Sequence, residues 1–222
     1  MYWETDDREE GPAIAEAVDV IYRLQGRSLP GDYIAALARA LSGPLAPLTD
    51  LPGFGVKVLH LPASGNGWSR TPDECIYLSR RVRLLVRVPR THAEQALALV
   101  DTAFQVSGAD CRLGGAHLRE LEPIETLYAS RVAPLAGDDE DEATFMAAVA
   151  ERLKAMGVRP RKMLPGRTET LLTPDGAVRL RSLMVAEMGR EGSLRLQSRG
   201  LGTGGLLGCG LFVPHKAITE LE

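Results

Sequence analysis

The hydrophobic pattern of the first half of the chain predicts elements in the order β-α-β-β-α-β. A β-branched, apolar run over residues 17–24 predicts a first strand, and an i, i+3, i+4, i+7 repeat over residues 30–41 predicts a helix. The other predicted elements are a strand over 54–61, a strand over 81–88, a helix over 93–104 and a strand over 116–121. A capping box, Thr91 followed by Glu94, predicts the start of the second helix.

The second half repeats this element order without evident sequence identity to the first. Its predicted elements are strands over 124–132, 162–172, 178–185 and 206–213, and helices over 145–156 and 193–199. The order is that of the ferredoxin-like motif. The sequence therefore predicts an α+β protein with two tandem ferredoxin-like domains and antiparallel sheets. The predicted divisions are an acidic leader over 1–13, one domain over 14–120 and another over 121–222.

Alternation in the strand over 81–88 separates apolar residues from arginines. Arg81, Arg83 and Arg87 share one face, and Val82, Leu84, Val86 and Val88 share the other. The apolar face is predicted to lie in the core. The arginine face is predicted either to bind the phosphates of an RNA hairpin or to be a plain solvated face that discourages edge pairing.

The formal charge of −3 conceals local cationic surpluses. The chain has 222 residues, with 26 Lys and Arg against 29 Asp and Glu, but ten of the acids lie in two runs, over 4–10 and 138–142. Between residues 152 and 216 there are 12 cations and 4 anions. The acidic total therefore does not argue against a nucleic-acid partner. We interpret the second acidic run as a solvated linker and not as a magnesium site.

Composition also indicates the cellular compartment. The three cysteines are widely spaced, with no Cys-x-x-Cys, which is typical of a reducing compartment and excludes a disulfide framework or a cysteine zinc site. The first residues lack the pattern of a secretion signal, and no apolar stretch reaches the roughly 20 residues of a membrane span. We therefore expect a cytoplasmic protein.

The most specific segment is glycine-rich and covers residues 200–210. It fits G-x-G-x-x-G, but a dinucleotide site needs a strand before it, a helix after it and an acid about 20 residues further on, and the sequence does not provide them. A P-loop needs Gly-Lys-Ser/Thr, which is also missing, so both kinds of nucleotide site are excluded. A plain turn is a further interpretation, although six glycines in 11 residues exceed what a turn requires. Glycines also let backbone N–H groups approach phosphates closely.

The spacing of these glycines resembles a known family. Gly-Leu-Gly, five residues, then Gly-Cys-Gly resembles the glycine-rich loop that lies before the last strand of the RAMP superfamily. With Val18–Gly26, residues 161–164 and residues 211–216, the chain resembles a CRISPR-associated endoribonuclease that processes precursor CRISPR RNA. The resemblance implies RNA contacts by Gly200, Gly202, Gly204, Gly205, Gly208 and Gly210. It also implies cleavage without metal or cofactor, by attack of the 2′-hydroxyl to leave a cyclic phosphate.

The resemblance directs attention to a few candidate side chains. The family base is usually a histidine near the first helix, which here contains none, so His60 after the second strand is the predicted base. Arg27 is predicted to neutralise charge at the cut site, and Tyr33 to donate a proton to the leaving oxygen. The predicted phosphate ligands outside the arginine strand and the glycine-rich segment are Arg161, Lys162, His215 and Lys216.

Other functions remain open from the sequence. The missing histidine also suits a non-catalytic RAMP-type subunit that binds CRISPR RNA in an effector complex. A small-ligand regulatory module is a third class, disfavoured by the cationic surplus. The predicted partner is a CRISPR repeat hairpin, and other effector-complex subunits or a second copy of the chain are further partners to test.

Overall fold

The computed structural model describes residues 15–61, 74–135, 137, 141–174 and 176–215. The predicted phosphate ligand Lys216 and the acidic run over 4–10 lie outside these residues. Within the described part of the chain, no helix is long and apolar enough to cross a membrane.

The first sheet has five antiparallel strands in the order β3-β5-β1-β7-β6. The elements of this half are β1 Ala17–Gly26, β2 Ser28–Pro30, α1 Tyr33–Ser42, β3 Gly55–Leu59, β4 Cys75–Tyr77, β5 Arg83–Pro89, α2 Ala93–Leu97, β6 Ala103–Val106 and β7 Ala109–Glu120. β2 and β4 form a separate two-stranded sheet. Residues 90–92 form a single 3-10 turn before α2.

The second sheet has four antiparallel strands in the order β11-β8-β10-β9. Its elements are β8 Thr126–Val132, α3 Glu142–Ala155, β9 Lys162–Thr173, β10 Gly176–Ala186, α4 Gly189–Arg199 and β11 Val213–Pro214. With β2, β4 and β6 set aside, the first sheet has the order β3-β5-β1-β7 and the second the order β9-β10-β8-β11. In each half, the last strand along the chain therefore lies beside the first, and the two middle strands pair with each other. The predicted ferredoxin-like architecture, with two antiparallel sheets, is confirmed. The limits of the two domains stay a prediction.

The predicted second helix is wrong over its last two turns. α2 ends at Leu97, and Phe104 lies in β6, where it pairs with Cys111 of β7. Ser107 and Gly108 both have positive φ, at 50° and 81°, and form the tight turn of this hairpin. The predicted capping box also fails, because no side chain caps this helix start within the described residues.

The predicted last strand is wrong over most of its length. Residues Gly205–Leu207 form a 3-10 turn, and only Val213 and Pro214 pair with β8. The chain turns here because Gly204 and Gly208, on either side, adopt the left-handed conformation at φ of 84° and 75°.

One face of each sheet packs on a core formed with the helices of its own half of the chain. The other face is not covered by those helices. In the first half, Leu37 and Leu41 of α1 pack with Leu84 and Val86 of β5. The second core contains Phe145 of α3 together with β8 and β10 residues. The other faces meet in a small cluster of Ile21, Leu85 and Leu211, against which Leu59 and Val213 pack. We call this cluster the junction.

Candidate active site

A cleft lies where α1, the edge strand β3, β8 and the glycine-rich segment come together. Its cavity measures about 60 Å³. The polar and ionisable side chains that line it are those of Tyr33, Lys57, Ser130 and Arg131. Gly208 closes one side so tightly that a Cβ there would lie 2.8 Å from the carbonyl oxygen of Val56. The cleft therefore combines residues from both sheets with the glycine-rich segment.

Lys57 is the cation that the sequence patterns missed. It lies in β3 opposite Leu85, on the face of the first sheet that its helices leave uncovered. Burial lowers the pKa of Lys57 to about 8, and the charges of Arg131 and Arg87 contribute to the lowering. No hydrogen bond joins its ammonium group to any described residue. A lysine in this setting exchanges a proton near neutral pH, which an ordinary lysine does not.

Arg131 is held beside Lys57 at the end of β8. Its Nε lies 2.5 Å from Oε1 of Glu169 on β9. Its carbonyl oxygen accepts a hydrogen bond of 2.8 Å from the backbone N–H of Gly210. The glycine-rich segment and β9 therefore both fix the position of this residue.

Two of the three predicted catalytic residues lie at or next to the cleft. Tyr33 is the first residue of α1, half-buried, and lines the cleft. His60 is exposed and follows β3, two residues after Val58, which also lines the cleft. Its φ is +59°, in the left-handed region that few non-glycine residues adopt. Arg27 is exposed next to β2 and does not line the cleft.

The predicted RNA contact at Arg87 is wrong, because this side chain is fully buried. Its guanidinium binds Asp19 and the carbonyl oxygens of Gln197 and Phe212. Alternation placed Arg87 on the correct face, but α4 and the residue before β11 cover that face. Arg81 is exposed and available to a ligand. Arg83 is half-buried, and its Nη1 donates to the carbonyl oxygens of Arg80 at 2.7 Å and Val82 at 2.9 Å, which leaves its other nitrogens for a ligand.

Most glycines of the glycine-rich segment have a structural role. Gly200, Gly202, Gly204, Gly208 and Gly210 have positive φ. A Cβ on Gly210 would lie 1.9 Å from the carbonyl oxygen of Leu201, and one on Gly205 would lie 2.3 Å from that of Phe54. The segment therefore packs too closely on itself and on the residue before β3 to accept side chains at these positions.

The backbone N–H groups of this segment divide into two sets. Those at residues 200, 201, 207, 208, 209 and 210 donate to carbonyl oxygens of the protein. The N–H groups of residues 202–206 donate to no carbonyl among the described residues; residues 202–204 are exposed, and residues 205 and 206 are half-buried. The N–H groups that remain available to a phosphate are therefore those of residues 202–206.

The remaining predicted cations do not line the cleft. Lys162 pairs in register with Ala186, which pairs with Thr126, and Lys162 Nζ lies 2.5 Å from Oε1 of Glu187. Seven residues of β9, about 23 Å, separate Lys162 from Glu169, and Arg161, exposed just before β9, lies at the Lys162 end. His215 is closer to the cleft, because its ring contacts Tyr128, three residues before Arg131 on β8.

Comparison with known proteins identifies relatives over nearly the whole chain. A family model described as Cas6 Crispr matches residues 18–217. The chain is 33% identical over 205 residues to a protein of Myxococcus xanthus (strain DK1622) named CRISPR-associated endonuclease Cas6, covering 92% of this chain and 84% of that protein.

Solved structures agree on the fold. One described as CRISPR associated protein Cas6 superposes with a TM-score of 0.63 at 13% identity, covering 90% of this chain and 100% of that chain. Another, described as an RAMP protein binding different RNA substrates, gives a TM-score of 0.58 at 14% identity, covering 88% and 98%. At these identities the two structures establish the fold alone.

Proposed function

The chain belongs to the Cas6 family of CRISPR-associated proteins, and we propose that it is an endoribonuclease that cuts precursor CRISPR RNA within its repeats. The observation that carries the proposal is the cleft, where Tyr33, Lys57 and Arg131 meet beside residues 206–208 of the glycine-rich segment. The name of the relative from Myxococcus xanthus supports the activity. The three unpaired cysteines are compatible with a cytoplasmic location.

The proposed reaction uses the RNA itself as the nucleophile. The 2′-hydroxyl next to the scissile phosphate forms a bond to phosphorus and gives its proton to His60, while the bond from phosphorus to the 5′-oxygen breaks. Lys57 donates a proton to that departing oxygen, and Arg131 stabilises the charge that develops on the phosphoryl oxygens. The products are a cyclic 2′,3′-phosphate and a 5′-hydroxyl.

Tyr33 has a supporting role in this proposal. Its position in the cleft suits contact with a phosphoryl oxygen or with the leaving group, so we assign it to positioning the scissile phosphate. Arg27, Arg81 and Arg83 are assigned to phosphates away from the cut. The RNA hairpin is then bound mainly through its backbone, as the shape of an A-form helix requires.

The nucleophile is tested by removing one oxygen from the RNA. Replacing the 2′-hydroxyl of the scissile nucleotide with hydrogen should abolish cleavage, while a gel-shift assay shows unchanged binding. The same substitution one nucleotide further along should have no effect and is the matched control. Cleavage of the scissile deoxy substrate at the normal rate would refute the proposed reaction.

The proposal also includes independence from metal ions. An intramolecular nucleophile needs alignment, a proton acceptor, a proton donor and a stabilising cation, and the cleft residues together with His60 supply these functions. The rate of repeat cleavage should therefore be the same in excess EDTA and in magnesium. A rate that falls on chelation and returns with magnesium would contradict this part of the proposal.

A second candidate function is RNA binding without cleavage. The observation that favours it is the absence of any histidine from α1, whose sequence is YIAALARALS. Purified protein incubated with repeat RNA separates the two candidates, because a binder shifts the RNA on a native gel and leaves it intact on a denaturing gel.

A further inference from the structure

An apolar row crosses the uncovered face of the second sheet. Val213 pairs with Tyr128, Tyr128 with Met184, and Met184 with Leu164. Residues directly opposite each other on neighbouring strands point to the same face, so these four side chains form one continuous row. Tyr128 and Met184 are half-buried, and Leu164 on the edge strand is 55% exposed.

His215 adds a second ring to this row. Its ring centroid lies 5.6 Å from that of Tyr128, with the two planes at 69°, which is an edge-to-face contact. The backbone N–H of His215 donates to Thr126 at 3.0 Å, so β8 holds the histidine in place. Two rings with polar atoms at their edges therefore lie in a row whose other members are apolar.

The row begins next to the candidate active site. Val213 packs against the junction, and Ser130, which lines the cleft, lies two residues from Tyr128 along β8 on the same face. Two residues of a strand span about 7 Å. This is roughly the spacing of neighbouring nucleotides in an extended RNA strand. An RNA strand with one phosphate in the cleft therefore brings an adjacent base to Tyr128.

The first sheet contributes cations beside the same junction. Arg23 of β1 and Arg83 of β5 are directly opposite each other, in the same cross-strand row as Leu59. Like charges in this arrangement repel each other unless an anion lies between them. A junction with two arginines on one side and an apolar, aromatic row on the other matches a single strand of RNA, whose phosphates need cations and whose bases need flat apolar surface.

We propose that Tyr128, with His215, Met184 and Leu164, binds an unpaired nucleobase of the RNA next to the cut site. This inference rests on the proposed function and extends it by a specific subsite. The base stacks on the Tyr128 ring, and the phosphates of the same nucleotide and its neighbour approach Arg23 and Arg83. Recognition of the RNA then combines a hairpin bound through its backbone with a single-stranded nucleotide bound through its base.

The test combines a protein variant with abasic RNA. Kd is measured by fluorescence anisotropy for a set of repeat RNAs in which each unpaired nucleotide flanking the cut is replaced in turn by an abasic one. Loss of stacking at one position should raise Kd about 5-fold or more in the wild-type protein. Tyr128→Leu should raise Kd for the intact RNA by a similar factor, and the same abasic position should then have no further effect.

Matched variants separate base stacking from a general loss of RNA affinity. Tyr128→Phe should keep the wild-type Kd, since the ring remains, and Tyr77→Leu, at an exposed tyrosine on β4, should also keep it. Leu164→Ser removes an exposed side chain with little risk to folding and should weaken binding in the same direction as Tyr128→Leu.

The possible results distinguish this inference from the function on which it rests. If wild-type protein binds and cuts repeat RNA but Tyr128→Leu has the same Kd, or the abasic effect persists in the variant, the subsite is refuted and the proposed function stands. If Tyr128→Leu instead changes the oligomeric state on size-exclusion chromatography with RNA affinity unchanged, the row is a protein interface and the inference is equally refuted.

Discussion

Arg87 and Asp19 form an ion pair that is closed off from solvent, with side chains 0% and 1% exposed. Nε of Arg87 lies 2.7 Å from Oδ1, and Nη2 lies 3.1 Å from Oδ2. The remaining nitrogen, Nη1, donates to the carbonyl oxygens of Gln197 at 3.1 Å and Phe212 at 2.6 Å. One guanidinium therefore joins β1 and β5 of the first sheet to α4 and to the residue before β11 in the second half.

Removing Arg87 should destabilise the protein strongly. Among the described residues, Arg87→Met leaves the buried carboxylate of Asp19 with only the half-exposed Arg119 as a partner, at a cost of about 3–5 kcal/mol in the free energy of unfolding. Urea denaturation measures this loss. Arg90→Met is the matched control, because Arg90 also binds a carboxylate, that of Glu120, but in solvent, where the cost is about 1 kcal/mol or less. Equal losses in the two variants would contradict the structural role of Arg87.

The sequence predicted the face on which Arg87 lies, but it could not predict what covers that face. Strand alternation depends only on neighbouring residues, whereas Gln197 and Phe212 are 110 and 125 positions away along the chain. Lys57 was missed for the same reason. It is the lone cation of the strand GVKVL, and only its burial between the two sheets, together with the approach of Arg131, makes it unusual. Local patterns thus predicted the order of the main elements, without β2, β4 and β6, and the place of Tyr33 on α1, whereas the cleft itself depends on long-range packing.

Lys57 should lower stability at neutral pH. Its pKa is about 8 in the folded protein against an ordinary value of 10.5, so between these values the unfolded chain binds more protons and stability rises with pH. Below pH 8 the buried ammonium carries its full penalty. Lys57→Met should therefore be more stable than wild type at pH 7 by about 1–3 kcal/mol, and the difference should shrink toward zero by about pH 10.5.

Urea denaturation of both proteins at pH 7 and pH 10 measures this difference. Lys154→Met, at an exposed lysine of α3, should show no such dependence on pH. A Lys57→Met variant that is less stable than wild type at pH 7 would show that the ammonium is stabilised in the cleft and not penalised.

Gly205→Ala should disturb the cleft by steric contact alone. The φ of Gly205 is not positive, so alanine meets no backbone strain, but its Cβ would lie 2.3 Å from the carbonyl oxygen of Phe54. We expect a loss of about 1–3 kcal/mol in stability and slower repeat cleavage. Gly43→Ala, where φ is helical and a Cβ meets nothing within 4 Å, should not destabilise the protein and should leave cleavage unchanged. Wild-type cleavage by Gly205→Ala would mean that the position of the 205–207 turn does not matter to the reaction.

His60→Asn should abolish proton acceptance without disturbing the backbone. Asparagine tolerates the left-handed conformation that His60 adopts, whereas alanine does not, so asparagine is the better replacement. We expect the single-turnover cleavage rate to fall by about 10²-fold or more, with Kd for repeat RNA unchanged. His92→Asn, in the 3-10 turn before α2, is the matched control and should cut at the wild-type rate. Equal rates for both variants would remove His60 from the reaction and leave the other cleft residues as candidates for the base.

The pH dependence of cleavage tests the role of Lys57 directly. A general acid must be protonated, so the single-turnover rate of the wild-type protein should fall as pH rises through about 8, the pKa of Lys57. Lys57→Arg keeps a positive charge at every pH used but donates its proton poorly, so its rate should be lower than wild type and should lose this decline.

Burial is the main cause of the lowered pKa of Lys57, and the charge of Arg131 is the next. Arg131→Met should therefore move the decline to higher pH, although the loss of charge stabilisation lowers the rate. A wild-type rate that instead rises through pH 8 would identify Lys57 as the proton acceptor and exchange its role with that of His60.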